Sequence, residues 1–131
     1  MAQARLFLAV AGLVGPALMV AAHPLFRAAA RQGPNACVGY RTPRSRRTEE
    51  GWRFAQEECA RVWRRAGAWS VAGGLGVLAG LAAAGAGLPW WEAASVAVAL
   101  GPLLATSAWC AVRIERRLAA DPRAGAARGS R

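Results

Sequence analysis

The residues able to do chemistry are concentrated in one polar stretch, VGYRTPRSRRTEEGWRF, at residues 38–54. It holds five arginines and two glutamates between two long apolar runs. A guanidinium held by irregular backbone can grip a carboxylate, a phosphate or the carbonyls at a helix end. Arg41 is the best candidate for such a role. It either binds a ligand or pairs with Glu49 or Glu50 as a latch within the loop.

The residue patterns of an active site are missing from the sequence. No apolar run holds a pair of carboxylates, no nucleophile lies within sequence reach of a histidine, and no glycine loop is built to cradle a phosphate. The three cysteines and the single histidine have no metal-ligand spacing. We therefore predict a protein that is not an enzyme and that uses no cofactor and no metal.

Three apolar runs around the polar stretch are long enough to cross a membrane. They cover residues 6–25, 66–88 and 90–112, and about 20 residues at 1.5 Å per residue cross a hydrocarbon core of roughly 30 Å. The chain is 55% hydrophobic yet carries a net charge of +10, because almost all charges lie outside these runs. The predicted fold class is an all-α integral membrane protein. It has one membrane domain over residues 1–120 and a disordered basic tail over residues 121–131.

The arginines predict the orientation of these spans. Ten lie in the loop over residues 26–65 and six follow Val112, whereas the turn over residues 88–92 has none. Because positive charge marks the cytoplasmic side, the loop and the C-terminus are predicted inside and the N-terminus outside. The first run also resembles a cleaved signal peptide with a site at residues 20–22. Cleavage there would put the arginine-rich loop outside, against the charge rule.

The second half of the loop has the pattern of an amphipathic helix. Thr48 is a suitable N-cap, and Glu49 and Glu50 follow it where a helix N-terminus favours negative charge. One side is apolar (Trp52, Ala55, Cys59, Val62, Trp63) and the other polar (Arg53, Gln56, Glu57, Arg61, Arg64). This predicts an interfacial helix on the inner membrane surface, running into the second span. In this interpretation Trp52 lies at the lipid interface, and Glu57 pairs with Arg61.

Small residues in the second span predict close helix packing. Gly76 and Gly80 form a GxxxG pattern, and Ala84 extends the same face by one turn. This face either packs within a three-helix bundle or joins two copies of the chain. The sequence favours the bundle and leaves a homo-oligomer open.

The first half of the loop is rich in residues that set backbone shape. Asn35 is expected to cap a turn, and Gly39 and Pro43 restrict the chain to irregular backbone. With their neighbours they form a signature that resembles that of the SdpI family, over residues 35–55. The residues that carry the resemblance are Asn35, Gly39, Tyr40, Arg41, Thr42, Pro43, Ser45, Glu49, Glu50 and Trp52.

The resemblance implies a multi-pass protein of the bacterial plasma membrane. Members of this type give immunity to a membrane-active peptide toxin or sense it, and the founding member holds a transcriptional repressor at the membrane. The resemblance therefore implies a peptide toxin and a cytoplasmic repressor as partners. It does not identify either of them.

Other functions compatible with the sequence are a small oligomeric transporter subunit and a membrane docking platform that needs no toxin. The spans have no deeply placed charge, which makes an ion-coupled transporter less favoured. Anionic lipid headgroups are expected partners of the loop arginines. Direct binding of nucleic acid is not expected, because the flanking spans hold these arginines at an anionic surface.

Overall fold

The computed structural model describes residues 1–35 and 37–120, and in this part of the chain all regular structure is helical. The three helices are α1 (Ala2–Gln32), α2 (Glu49–Ala83) and α3 (Leu88–Ala119). Each is long and apolar enough to cross a membrane. The prediction of an all-α membrane protein with three spans is confirmed. The predicted tail over residues 121–131 lies outside the described residues.

The helices extend beyond the apolar segments, and these extensions pack against each other. α1 continues through Gln32, although its apolar run ends at Leu25, because the extra turns pack against the first half of α2. There the rings of Phe26 and Trp63 meet edge to face with centroids 5.3 Å apart. We call the end of the bundle formed by residues 26–65 and 113–120 the basic end. The residues that pack there position the candidate site described below.

Close contact inside the bundle depends on two glycines outside the GxxxG pattern of the second span. A Cβ on Gly15 would overlap the carbonyl oxygen of Ala99 in α3. A Cβ on Gly67 would lie 3.0 Å from the carbonyl oxygen of Pro16 and 2.9 Å from the Cβ of Met19. Backbones that approach this closely gain van der Waals contact without help from the hydrophobic effect, as helices in lipid require.

Gly76 and Gly80 lie elsewhere. A Cβ built on either glycine meets no heavy atom of another helix within 4 Å among the described residues, and Ala84 is exposed. The interpretation of this face as packing within the three-helix bundle is therefore wrong for Gly76 and Gly80. These two lie on the side of α2 that is turned away from α1 and α3. The alternative, a contact between two copies of the chain, stays a prediction.

The predicted interfacial helix is not seen as a separate element. Residues 49–65 and the second span form one uninterrupted helix, α2. Its apolar side is buried as the periodicity predicts, since Ala55 is 0% and Cys59 1% exposed. These residues form a core with Cys110, Ile114 and Leu118 of α3. Protein rather than lipid therefore covers this face, and the placement on the membrane surface is not confirmed.

Candidate functional site

The polar loop between α1 and α2 is folded on itself and fastened to the bundle. We call residues 37–48, together with Gln56 of α2, the bracket. Its entry is a turn built by Asn35, whose Oδ1 accepts hydrogen bonds from the backbone N–H groups of Cys37 (3.0 Å) and Val38 (2.9 Å). Asn35 thus caps a turn, which is the ordinary role of asparagine at such a position.

Gly39 and Gln56 form the centre of the bracket. The Gln56 side chain makes two hydrogen bonds to the backbone of Tyr40, and we call this pair of bonds the clasp. Its Oε1 accepts from the Tyr40 N–H at 2.8 Å, and its Nε2 donates to the Tyr40 carbonyl at 2.7 Å. Gly39 has φ +105°, and a Cβ there would overlap Gln56 Oε1. Only glycine suits both the backbone conformation and the space, so the glycine of the signature is required by the clasp.

Thr42 and Ser45 close the loop by bonding to each other's backbone. The Thr42 N–H donates to Ser45 Oγ at 3.0 Å, and the Ser45 N–H donates to Thr42 Oγ1 at 3.1 Å. Ser45 is fully buried, and Pro43 between them supplies the fixed φ of a turn. Buried hydroxyls need partners, and these two residues satisfy each other. Their place in the signature is therefore explained by the fold of the loop.

Trp52 joins the start of α2 to the end of α1. Thr48 is the N-cap, as predicted, with its Oγ1 accepting from the Gly51 N–H at 3.0 Å. One turn later, the Trp52 indole N–H donates to the Ala29 carbonyl at 2.8 Å, and the side chain is 0% exposed. The prediction that Trp52 lies at the lipid interface is wrong, because α1 extends far enough to cover it.

Two glutamates that sequence reasoning missed bond the loop and α2 to α3. Glu115 Oε2 lies 3.1 Å from Arg44 Nη1, and Tyr40 donates its hydroxyl to Glu115 Oε1 at a long 3.4 Å. Burial and, secondarily, the nearby Glu115 charge raise the pKa of Tyr40 to about 12. The bracket is thus held to α2 through Gln56 and to α3 through Glu115, and Trp52 beside it bonds α2 to α1 at Ala29.

Glu58 is the second of these glutamates. It is 4% exposed and lies between two arginines, with Arg61 Nη1 and Arg113 Nε each 2.8 Å from its carboxylate oxygens. Arg61 therefore pairs with Glu58 three residues before it, and the predicted pair with Glu57 is wrong. A buried carboxylate needs such partners, since leaving it uncompensated is expensive. The pair with Arg113 joins α2 to α3.

The remaining signature residues lie on the outside of the bracket. Arg41, Pro43, Glu49 and Glu50 are exposed. Arg41 and Glu50 each have an interaction partner in the structure. Whether Arg41 acts as a latch or as a ligand contact stays a prediction. With Arg44, Arg46 and Arg47, Arg41 gives the outer surface of the bracket four exposed guanidiniums. Such a surface attracts anionic groups.

Comparison with known protein families identifies the chain. It matches the SdpI/YfhL protein family over residues 32–112, more than half of its length. The chain belongs to the SdpI/YfhL family. The match spans the bracket, all of α2 and most of α3, and so confirms the resemblance drawn from the signature. Neither the curated proteins nor the solved structures contain a match to the chain.

Proposed function

We propose that this member of the SdpI/YfhL family protects a bacterial cell from a membrane-active peptide toxin or senses that toxin. One observation carries the proposal: the residues of the family signature come together at the basic end, where Gln56 of α2 holds Tyr40, Glu115 of α3 holds Arg44, and Trp52 bonds to Ala29 of α1. Membership of the family supports the same function. The bracket is the part of the molecule best suited to respond to a change among the spans.

The bonds of the bracket and of Trp52 beside it provide a physical route for such a response. Trp52 reports on α1 through the Ala29 carbonyl, and Arg44 reports on α3 through Glu115. A peptide that binds among the spans and shifts α1 or α3 would stretch one of these bonds. The hydrogen bonds between Gln56 and Tyr40 cannot adjust gradually to such a shift, because together they fix one position of the Tyr40 backbone. The bracket would then switch between a closed and an open form, which peptide binding biases.

We place the basic end in the cytoplasm and the N-terminus outside. Ten arginines over residues 26–65 against none in the short turn before α3 support this orientation. The exposed guanidiniums of the bracket would then face anionic headgroups and soluble proteins of the cytoplasm. A repressor with an acidic surface would fit them. Reporter fusions after residue 47 and after residue 86 test the orientation, because only the first should behave as cytoplasmic.

The function is tested by protection of a sensitive cell. The full chain is expressed in a toxin-sensitive bacterium and challenged with each secreted peptide encoded beside its gene. Wild-type protein should raise survival against one of them. Gln56→Ala, which removes the clasp, should abolish protection at equal amounts in the membrane. Gly73→Ala is a matched control in α2, because a Cβ there meets nothing within 4 Å. Unchanged killing by every such peptide would refute immunity.

A second candidate is a docking platform that needs no toxin, and the exposed arginines of the bracket favour it. Here a soluble regulator binds the bracket under all conditions. Capture of the regulator by the full chain in detergent, with and without the peptide, separates the two functions. A platform binds equally in both cases, whereas a sensor binds only, or far better, when the peptide is present. Replacing Arg46 and Arg47 by glutamate should prevent capture in either case.

A further inference from the structure

A large polar groove lies between α1 and α2 and is lined by residues of these two helices and by Gly33. Its volume is about 1200 Å³, and its walls carry five arginines and three glutamates. Small residues line it at Ala30, Gly33 and Ala60, which leaves room between the two helices. The groove contains no residue of the bracket, although the signature residues Glu49 and Glu50 lie on its wall.

The contacts between α1 and α2 show which groove residues face each other. Trp52 bonds to Ala29 near the top of the groove, and a Cβ on Gly67 would meet Pro16 and Met19 below it. The two helices are therefore antiparallel, so that residues earlier in α1 lie beside residues later in α2. This register sets Arg31 level with Arg53. About 6 Å lower, at 1.5 Å per residue, it sets Arg27 level with Glu57.

Four of the five groove arginines are exposed and without an ion pair among the described residues. Within the described residues, Arg27, Arg31, Arg53 and Arg64 have no carboxylate oxygen within 4.0 Å of a side-chain nitrogen. Arg61, the fifth, is already bonded to Glu58. Three glutamates line the same groove, so the five arginines give it a net positive charge of two. Two guanidiniums level on opposite walls of a groove offer a positive site to an anion that lies between them.

The groove also lies where a phosphate is available. Its lower end, at His23 and Arg64, adjoins the apolar segments of α1 and α2, which end at Leu25 and begin at Ala66. That is the depth of lipid headgroups. Arginine holds phosphate oxygens through two parallel hydrogen bonds, and basic pockets between transmembrane helices bind phosphate-bearing headgroups.

We infer that this groove is a binding site for a phosphate-bearing ligand, held between Arg31 and Arg53 with Arg27 and Arg64 completing the positive surroundings. The phosphate comes either from an anionic lipid headgroup or from a soluble phosphate compound. The site is independent of the proposed toxin response.

Titration of the purified full chain in a zwitterionic detergent tests the site. The probes are short-chain phosphatidylglycerol, short-chain phosphatidylcholine and inorganic pyrophosphate, with calorimetry as the readout. Wild-type protein should bind phosphatidylglycerol at least tenfold more tightly than phosphatidylcholine. Arg31→Gln with Arg53→Gln should weaken that binding at least tenfold. Arg116→Gln with Arg117→Gln removes the same charge from exposed positions of α3 and should change it less than twofold.

Glu57→Gln gives a test of opposite sign that puts no buried residue at risk. It removes a negative charge from the groove and should tighten phosphate binding severalfold. Tight binding of pyrophosphate with none of phosphatidylglycerol would support the site and identify its ligand as soluble. Equal losses in the two double variants, or binding of neither probe by the wild type, would overturn the inference.

Discussion

Replacing Gly39 by alanine should open the bracket, and the size of the effect follows from two contributions. A non-glycine residue at φ +105° costs about 1–3 kcal/mol of backbone strain. The new Cβ also displaces Gln56, whose two hydrogen bonds to Tyr40 contribute about 0.5–1.5 kcal/mol each. Together they lower the free energy of opening by roughly 3 kcal/mol, and each 1.4 kcal/mol is about a factor of ten. The open fraction should therefore rise about 100-fold.

Trypsin measures this opening directly, because the bracket contains four arginines. When opening is fast compared with cleavage, the cleavage rate follows the open population. Mass spectrometry of the purified protein in detergent should show about 100-fold faster cleavage after Arg41, Arg44, Arg46 and Arg47 in the Gly39→Ala variant. Gly73→Ala should leave these rates unchanged, since it has open space for the new methyl group.

A double-mutant cycle separates the two contributions. Gln56→Ala alone removes the clasp, leaves the Tyr40 N–H without its partner, and should cost about 2 kcal/mol. In that background Gly39→Ala should cost only its backbone strain, because the side chain that it would strike is gone. The two changes should be less than additive by about 1–2 kcal/mol. Full additivity, or wild-type cleavage rates in Gly39→Ala, would refute the account of the bracket.

Three further predictions follow from burial and charge. The only tyrosine, Tyr40, should titrate near pH 12 by absorbance, and Glu115→Gln should lower that midpoint toward 10. Because the folded pKa of Tyr40 lies above the unfolded value, Tyr40 should favour the closed bracket below pH 10 and lose this contribution as the pH rises to 12. Trypsin cleavage of the bracket should therefore become faster over this pH range, and Tyr40→Phe should abolish that increase. Cys37 should react with maleimide in the folded protein, whereas the other two cysteines should react only after denaturation. Gly15→Ala should destabilise the bundle by about 1–3 kcal/mol in thermal unfolding, and Gly76→Ala should not.

The spans were predictable because charge and apolar surface are segregated along the chain. No charged residue lies between residues 66 and 91, and an uncharged run of that length has few structures other than a membrane helix. The N-cap at Thr48 was predictable for a similarly local reason. Both depend on neighbours in sequence, which is why the sequence alone suffices for them.

The clasp could have been found in part from spacing. Gln56 lies four residues after Trp52 and three before Cys59, so helical periodicity puts it on the buried stripe. Its residue type alone predicts the polar side, and its position in the helix is the better guide. Glu58 follows Ala55 by three residues and precedes Val62 by four, and it was missed in the same way. A polar residue on an apolar stripe is better interpreted as a bonded core residue than as a break in the stripe.

The sequence could not predict which element buries Trp52 or whether Gly76 packs against another helix. An apolar face has the same pattern whether lipid or another helix covers it, so periodicity buries Trp52 without showing that α1 does so. A GxxxG pattern likewise shows that close approach is feasible, not that a partner is present. The glycines that pack, Gly15 and Gly67, are distinguished only by the helices opposite them.

The residues at the basic end differ in whether they fold the bracket or are available to bind a ligand. Gly39, Thr42, Ser45 and Trp52 are accounted for by bonds within the chain, so the signature describes how the bracket folds more than what it binds. Recognition must then depend on side chains that the fold does not occupy. These include Arg46 and Arg47 of the bracket and groove arginines such as Arg31, which have no carboxylate oxygen within 4.0 Å among the described residues. Gln substitutions in the groove should therefore change phosphate binding while trypsin resistance of the bracket stays intact. Loss of both together would show that the groove and the bracket form one site.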